Sequence, residues 1–309
     1  MLNRRSFLQQ AVLAAGALAW QQVASEPDAD ARLVVLHTND THSRLDPFPM
    51  DGSRNQGLGG VAKRASLIDA IRAEGTPSLL LDAGDIFQGT PYFNLYQGKP
   101  EMQALDMMGY DAVTIGNHDF DGGLELLANR LSEVRFPLVV CNYDFTGTPM
   151  EGKSRPYKIF HRGKLKIGVT GVGIDPKGLV PDALAGKTSY FDPIQAASTQ
   201  AEWLKKQKGC DMVICLSHLG YDYKDNPSRI SDRKLAEASS HVDLIIGGHT
   251  HTFLDAPVVL RNTAGQDVVV NQVGWAGIKL GRLDYDFSKK RNGKMMQSHP
   301  VVVGKKTSE

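Results

Sequence analysis

From residue 33 onward, short apolar runs alternate with stretches whose apolar residues recur every three or four positions. Leu33, Val34, Val35 and Leu36 form the first run. Residues 60–73 follow with helical spacing, placing Val61, Ala65, Leu67, Ile68 and Ile71 on one side. Residues 78–81, 112–115 and 137–141 have a strand's length and composition, and residues 101–108 and 123–133 between them read as helices. Further on, residues 157–160 and 164–170 alternate apolar and polar positions around Arg162-Gly163, the pattern of a hairpin. Helices are expected at 193–206 and 229–238, and strands at 212–216 and 242–246. Residues 257–303 are strand-rich, with turn signals at 262–265, 274–277 and 292–293. No internal repeat or low-complexity segment interrupts this. The alternation predicts an α/β fold.

At 309 residues the chain is long enough for one large domain or two modest ones. A hydrophobic fraction of 41% and a charged fraction of 22% are ordinary for a globular protein. The formal net charge of +1 gives no electrostatic basis for nucleic-acid capture. After the first 20 residues no apolar run is long enough to span a bilayer. Cys141, Cys210 and Cys215 lie in or near apolar runs and are expected to be buried free thiols. A Cys210–Cys215 disulfide is disfavoured because that spacing falls within one strand.

The N-terminus reads as an address. Arg4-Arg5 is followed by Ser6-Phe7-Leu8 and a modestly apolar stretch at 11–19, with small-residue cleavage sites at 17–19 and 23–25. This looks like a twin-arginine export signal. It implies a periplasmic or otherwise extracytoplasmic location, with no stable membrane insertion after signal removal.

Chemistry concentrates in five short motifs. They are Asp40-Thr41-His42, Gly84-Asp85, Gly116-Asn117-His118-Asp119, Ser217-His218 and Gly248-His249-Thr250-His251. Each falls just after an expected strand, and in open α/β sheets sites form where strand carboxyl ends converge. The candidate ligands are Asp40, His42, Asp85, Asn117, His218, His249 and His251. An oxygen-and-nitrogen set without cysteine suits Zn²⁺, Mn²⁺ or Fe²⁺ better than a structural thiolate zinc site. Two divalent ions sharing the Asp85 carboxylate would use this set economically, and paired metals are a usual device for phosphate-ester hydrolysis. Asp40 and His42 are two apart, as are His249 and His251. On an extended segment each pair would point to one side. With Asn117 facing the metals, its neighbour His118 is expected to face substrate. The remaining histidines, His37, His161, His241 and His299, have no such setting and read as structural or solvated.

The motifs resemble those of the calcineurin-like metallophosphoesterases. The segments LHTNDTHSRL, GGVAKRASLI, LDAGDIFQGTPYFNL, GNHDFDGG and LIIGGHTHT narrow the resemblance to the metallophosphatase domain of the bacterial 5′-nucleotidase family. It covers roughly residues 33–286 and implies a four-layer αββα sandwich holding a dinuclear centre. It also implies one metal on Asp40, His42, His251 and bridging Asp85, and the other on Asp85, Asn117, His218 and His249. His118 and Asp121 correspond to the family's catalytic pair. Asp119 stands where the family often has glutamate and is not a ligand in that pattern. Asp121 is also placed to cap the helix expected from 123. The organisation implied is an export signal and linker at 1–30, a metallophosphatase domain at 31–303 and a polar tail at 304–309. The family's C-terminal specificity domain has no counterpart, so a separate chain supplying one is an expected kind of partner.

The expected reaction is hydrolysis of a small phosphate ester, nucleotides included. Two cations lower the pKa of a shared water, and the resulting bridging hydroxide attacks phosphorus while the metals and His118 meet the charge on the phosphoryl oxygens. Phosphodiesterase action on cyclic nucleotides, hydrolysis of a sulfur ester, and a subunit dependent on a partner chain for substrate binding remain open alternatives.

Overall fold

The computed structural model describes residues 31–288 and 293–304. The expected export signal and linker at 1–30, and residues 305–309 of the tail, lie outside the described residues, as does Asn292 of the last turn signal.

Strand β1 (Arg32–Thr38) shows how the layers are built. Leu33 and Val35 enter one apolar cluster and Val34 and Leu36 another. Side chains alternate across a strand, so a strand buried on both faces reads as an unbroken apolar run. β1 pairs in parallel with β2 (Ser78–Asp82), followed across the sheet by β3 (Ala112–Val113), β4 (Leu138–Val139) and, beyond the short β5 (Tyr143–Asp144), β6 (Ser154–Arg155).

A second sheet starts from the expected hairpin. β7 (Tyr157–Arg162) and β8 (Leu165–Val172) are antiparallel, and β8 runs parallel to β10 (Met212–Ser217), which is parallel to β11 (Leu244–Gly247). β9 (Ser189–Tyr190) pairs only with β5. The sheet closes with β13 (Asp267–Asn271) beside β11 and β12 (Val258–Arg261) at the edge. β14 (Lys279–Asp286) returns antiparallel to β1, carrying β15 (Lys294–Ser298) and β16 (Val301–Val302) with it.

The two sheets face each other. Leu33, Leu81 and Leu283 of the first pack with Ile167, Ile214 and Ile246 of the second. Outside the first sheet, α1 (Val61–Arg72), α3 (Lys99–Met108) and α4 (Gly123–Ser132) bury Ile68, Met102, Leu105 and Leu127, while the short α2 (Pro91–Tyr96) adds Phe93. Beyond the single turn α5 (Asp182–Ala185), helices α6 (Pro193–Glu202) and α7 (Asp232–Ala238) cover the second sheet with Ala197, Ala201 and Leu235. The result is the expected αββα order. Each fully buried Leu, Ile or Val contributes about 1.5–3 kcal/mol before chain entropy is counted.

Three local expectations change. The helix expected at 193–206 is α6 followed by a wider π turn at Trp203–Gln207, which sinks Leu204 while leaving Trp203 half exposed. The helix expected from 229 starts at Asp232, because Ser231 accepts the Lys234 N–H and fixes the first turn there. The three cysteines are free, and Cys141 is partly accessible rather than fully buried.

Candidate metal centre

Five strands end at one place. β1, β2 and β3 of the first sheet lead into Asp40, Asp85 and Asn117, and β10 and β11 of the second lead into His218 and His249. The backbone then turns hard. Asp40, His42, Asp85, His249 and His251 all have positive φ, between 48° and 70°. This corrects the expectation of extended pairs. Asp40 and His42 converge through left-handed turns, as do His249 and His251, because the chain has already left the sheet. Close approach of the loops requires glycine. A Cβ on Gly84 would sit 2.6 Å from the Gly116 nitrogen, and one on Gly116 would strike the Asp85 carboxylate.

The side chains gather in two groups, Asp40, His42 and His251, and Asp85, His218 and His249. Asp85 joins them: its Oδ2 lies 3.1 Å from His218 Nε2 and 3.7 Å from His42 Nε2. Asp40 Oδ1 is 3.4 Å from His251 Nε2. Asn117 Oδ1 is 2.8 Å from His249 Nδ1, which brings the amide to the second group. All seven expected ligands thus lie in one cluster.

Neighbouring backbone sets the tautomers. His218 Nδ1 donates to the Ala83 carbonyl at 2.7 Å and His42 Nδ1 to the Phe87 carbonyl at 3.3 Å, leaving Nε2 of each turned inward. Burial alone would raise the Asp85 pKa, but the His218 charge 3.1 Å away outweighs it and the carboxyl ends below its usual range. Burial would likewise lower His218, yet Asp85 and then Asp40 hold it up at about 10. His249 is pushed down to about 3, first by burial and then by the His218 charge, so it stays neutral.

The residues present fit divalent ions. His218 Nε2 is fully buried without a hydrogen-bond partner, and it faces two carboxylates. Carboxylate oxygens and imidazole nitrogens crowded within ligand distance of one another are the donor set that a divalent cation takes.

His118 stands beside the groups rather than in either. Its ring centroid is 5.4 Å from that of His42, and its backbone N–H donates to Asp85 Oδ1 at 2.8 Å. Its Nδ1 meets Asp121 Oδ2 at 2.9 Å, and that hydrogen bond raises the His118 pKa against the effect of burial. Asp121 does not cap α4, whose N-cap is Gly122 without a side-chain bond.

A family model described as calcineurin-like phosphoesterase matches residues 33–253. The chain is a calcineurin-like phosphoesterase. Bovine 5′-nucleotidase is 32% identical over 320 residues, covering 96% of this phosphoesterase and 53% of the bovine chain. The trifunctional nucleotide phosphoesterase YfkN of Bacillus subtilis is 31% identical over 289 residues, 84% of this chain and 18% of that one. Among solved structures, the 5′-nucleotidase precursor of Thermus thermophilus superposes with a TM-score of 0.77 at 32% identity, over 88% of this chain and 54% of that one. The phosphoesterase resembles the N-terminal domain of the 5′-nucleotidases and spans about half the length of the curated 5′-nucleotidases it matches.

Several residues around the centre escaped sequence reasoning. Buried Asp119 accepts hydrogen bonds from the Asp85, Ile86, Phe87 and Gly116 nitrogens at 2.8–3.2 Å, fastening the Asp85 loop to the Asn117 loop. Trp275 lies parallel to His251, centroids 5.6 Å apart, and meets Phe48 edge-on at 5.8 Å. That places the 47–58 loop at the rim. The 220–228 loop is tied to the His249–His251 turn by the Tyr221 N–H donating to Thr250 Oγ1 at 3.0 Å. Of the histidines read as structural, His37 is buried, pushed by burial to about 3, and bonded to Asn271 at 2.9 Å between the two sheets. His161 and His299 are exposed, and His241 is half-buried.

Proposed function

We propose that this phosphoesterase hydrolyses phosphate monoesters of nucleotides or other small molecules at two divalent ions, with Zn²⁺, Mn²⁺ and Fe²⁺ all suited to the donor set. Asp40, His42, His251 and Asp85 would hold one ion, and Asp85, Asn117, His218 and His249 the other. The observation that carries this reading is the Asp85 carboxylate lying between two histidine-bearing groups. When bound, divalent ions there supply positive charge for phosphoryl oxygens and lower the pKa of water. His118 is proposed as the catalytic acid or charge stabiliser. Asp121 holds its Nδ1, leaving the other ring nitrogen for substrate oxygen, and favours the protonated ring that such a role needs. Residues 31–303 would form the catalytic domain. The Arg4-Arg5 segment supports export by the twin-arginine route to an extracytoplasmic location. No described helix is long and apolar enough to cross a membrane.

The test is a panel of phosphate monoesters, diesters, cyclic nucleotides and nucleoside monophosphates, run on protein of measured metal content. Hydrolysis of monoesters above diesters supports the reading. Turnover confined to diesters or cyclic nucleotides replaces it with the phosphodiesterase alternative.

A further inference from the structure

Gln272 is fully buried directly after β13, and its amide reaches across to the turn that carries His249 and His251. Its Nε2 donates to the Gly248 carbonyl at 2.6 Å. Its Oε1 accepts from the Thr252 N–H and, at 3.2 Å, from Thr250 Oγ1. The partners fix which end of the amide is which, since a carbonyl only accepts and a backbone N–H only donates. One side chain thus closes the turn at both ends, with the two histidines between. Backbone bonds run beside it, from the Leu254 N–H to the Gln272 carbonyl at 3.2 Å and from the Gly274 N–H to the Thr252 carbonyl at 2.9 Å. The same segment continues to the Asp40 loop. Asn39 accepts the Val273 N–H at 3.0 Å and donates through Nδ2 to the Gly274 carbonyl at 2.5 Å and to Asp40 Oδ2 at 2.6 Å. The Ala276 N–H donates to the Asp40 carbonyl at 2.7 Å.

The turn needs such a brace. His249 and His251 have φ of 70° and 52°, a conformation that non-glycine residues keep only where their surroundings fix it. Within the turn, the Thr250 N–H bonds the Gly248 carbonyl at 2.9 Å, which encloses His249 and leaves His251 outside. The bond from Thr252 to Gln272 encloses His251 as well. His249 belongs to the group with Asp85 and His218, and His251 to the group with Asp40 and His42. The geometry of this one turn therefore sets how the two groups stand to each other.

We infer that Gln272 is a positioning residue for the metal centre. By holding Gly248 and Thr252 at a fixed separation it sets the spacing of His249 from His251, and with it the spacing of the two ions. This rests on the two-ion reading. Gln272 acts through the backbone of the turn rather than on an ion or a substrate.

The test loads wild type, Gln272→Met, Thr250→Val and Asp111→Ala with Mn²⁺, at a temperature where circular dichroism and melting show each to be folded. Gln272→Met keeps the length of the side chain and loses both ends of the amide. Thr250→Val, at a half-buried position, loses only the hydroxyl. Asp111 accepts the Leu80 N–H at 2.9 Å just ahead of β3, at the end of that strand away from the centre, so its loss destabilises without touching the turn. Two readouts are taken: Mn²⁺ affinity by competition with a metal-sensitive dye, and the electron paramagnetic resonance spectrum, whose exchange-coupled signal depends on the separation of the ions. Gln272→Met should bind Mn²⁺ roughly ten- to a hundredfold more weakly, the scale of losing a residue that orients ligands, and its coupled signal should shift or vanish. Thr250→Val should move both readouts in the same direction by less. Asp111→Ala should lower Tm and move neither. Wild-type affinity and coupled signal in Gln272→Met overturn the inference, even where its Tm falls. If Gln272→Met does not fold, Thr250→Val decides: a weaker affinity with a shifted signal supports the inference, and wild-type values overturn it. A wild-type protein that gives no coupled pair removes the two-ion reading, and the inference with it.

Discussion

At His118 the backbone and the side chain have separate tasks. The N–H steadies Asp85, while the ring is tied to Asp121. Replacing the ring alone should leave the centre assembled: His118→Ala is expected to retain metal, by elemental analysis, and to hydrolyse a phosphate monoester about 10²-fold more slowly or worse. Loss of metal from that variant would make His118 a ligand instead. One position further on, Asp119 serves four backbone donors from two loops. Asp119→Ala strands buried N–H groups, each costing about 1–3 kcal/mol when unsatisfied. Urea unfolding of the metal-free variant should show a loss of about 3 kcal/mol or more, and a loss below about 1 kcal/mol would mean that water replaces the carboxylate. The gathering of the seven candidate ligands was legible in the sequence because their residue types and spacing carry the chemistry. Asp119 was not, since its partners are main-chain atoms whose position depends on the tertiary fold. Arg229, whose Nη2 lies 3.4 Å from His249 Nε2, was hidden for a similar reason, as nothing local to it announces His249.

The strand-to-turn junctions, rather than the strands, make the site. Five of the seven candidate ligands adopt left-handed backbone, each at about 1–2 kcal/mol for a non-glycine residue. Such strain persists where the surroundings over-determine it. Here they do: the Asp40 N–H bonds the Gly84 carbonyl at 2.9 Å and the His42 N–H the Asp85 carbonyl at 3.0 Å, locking the first loop onto the second. The strand ends could be read from apolar runs stopping at polar motifs. The turns could not, because Asp-x-His carries no glycine to signal positive φ. Gly116 tests the packing of these junctions. Gly116→Ala pushes a methyl group into Asp85 and within 2.6 Å of the His218 ring. It should retain the far-ultraviolet dichroism of wild type while binding metal at least about tenfold more weakly, equivalent to about 1.4 kcal/mol. Unchanged affinity by competition with a metal-sensitive dye would show that the loops yield.

Across the whole molecule, the centre joins two sheets that otherwise meet through apolar side chains. Asp40, Asp85 and Asn117 come from the first sheet, and His218, His249 and His251 from the second. Ions held there would clamp the sandwich at one end. A site filled at a thousand times its dissociation constant stabilises by about 4 kcal/mol. For a domain of this size that corresponds to ~10 °C in Tm, so chelation should lower the melting temperature by that order, reversibly on adding metal back. An unaltered Tm would detach the centre from stability. The layered architecture was largely visible in the sequence, since runs buried on both faces and helices with one apolar side leave few arrangements. The cavity of about 590 Å³ lined by Tyr221, Tyr223 and Arg229 was not, because a cavity is a property of the assembled rim. The proposed function turns on a pair of ions bridged by Asp85. The most direct measurement titrates metal-free protein with Mn²⁺ or Zn²⁺ and follows bound metal and phosphate-ester hydrolysis together, in wild type and Asp85→Ala. Two ions per wild-type chain with hydrolysis rising as they bind, and near-complete loss of both in Asp85→Ala, are predicted. Full hydrolysis with one ion or none, or an Asp85→Ala protein that binds and works as wild type does, would contradict it.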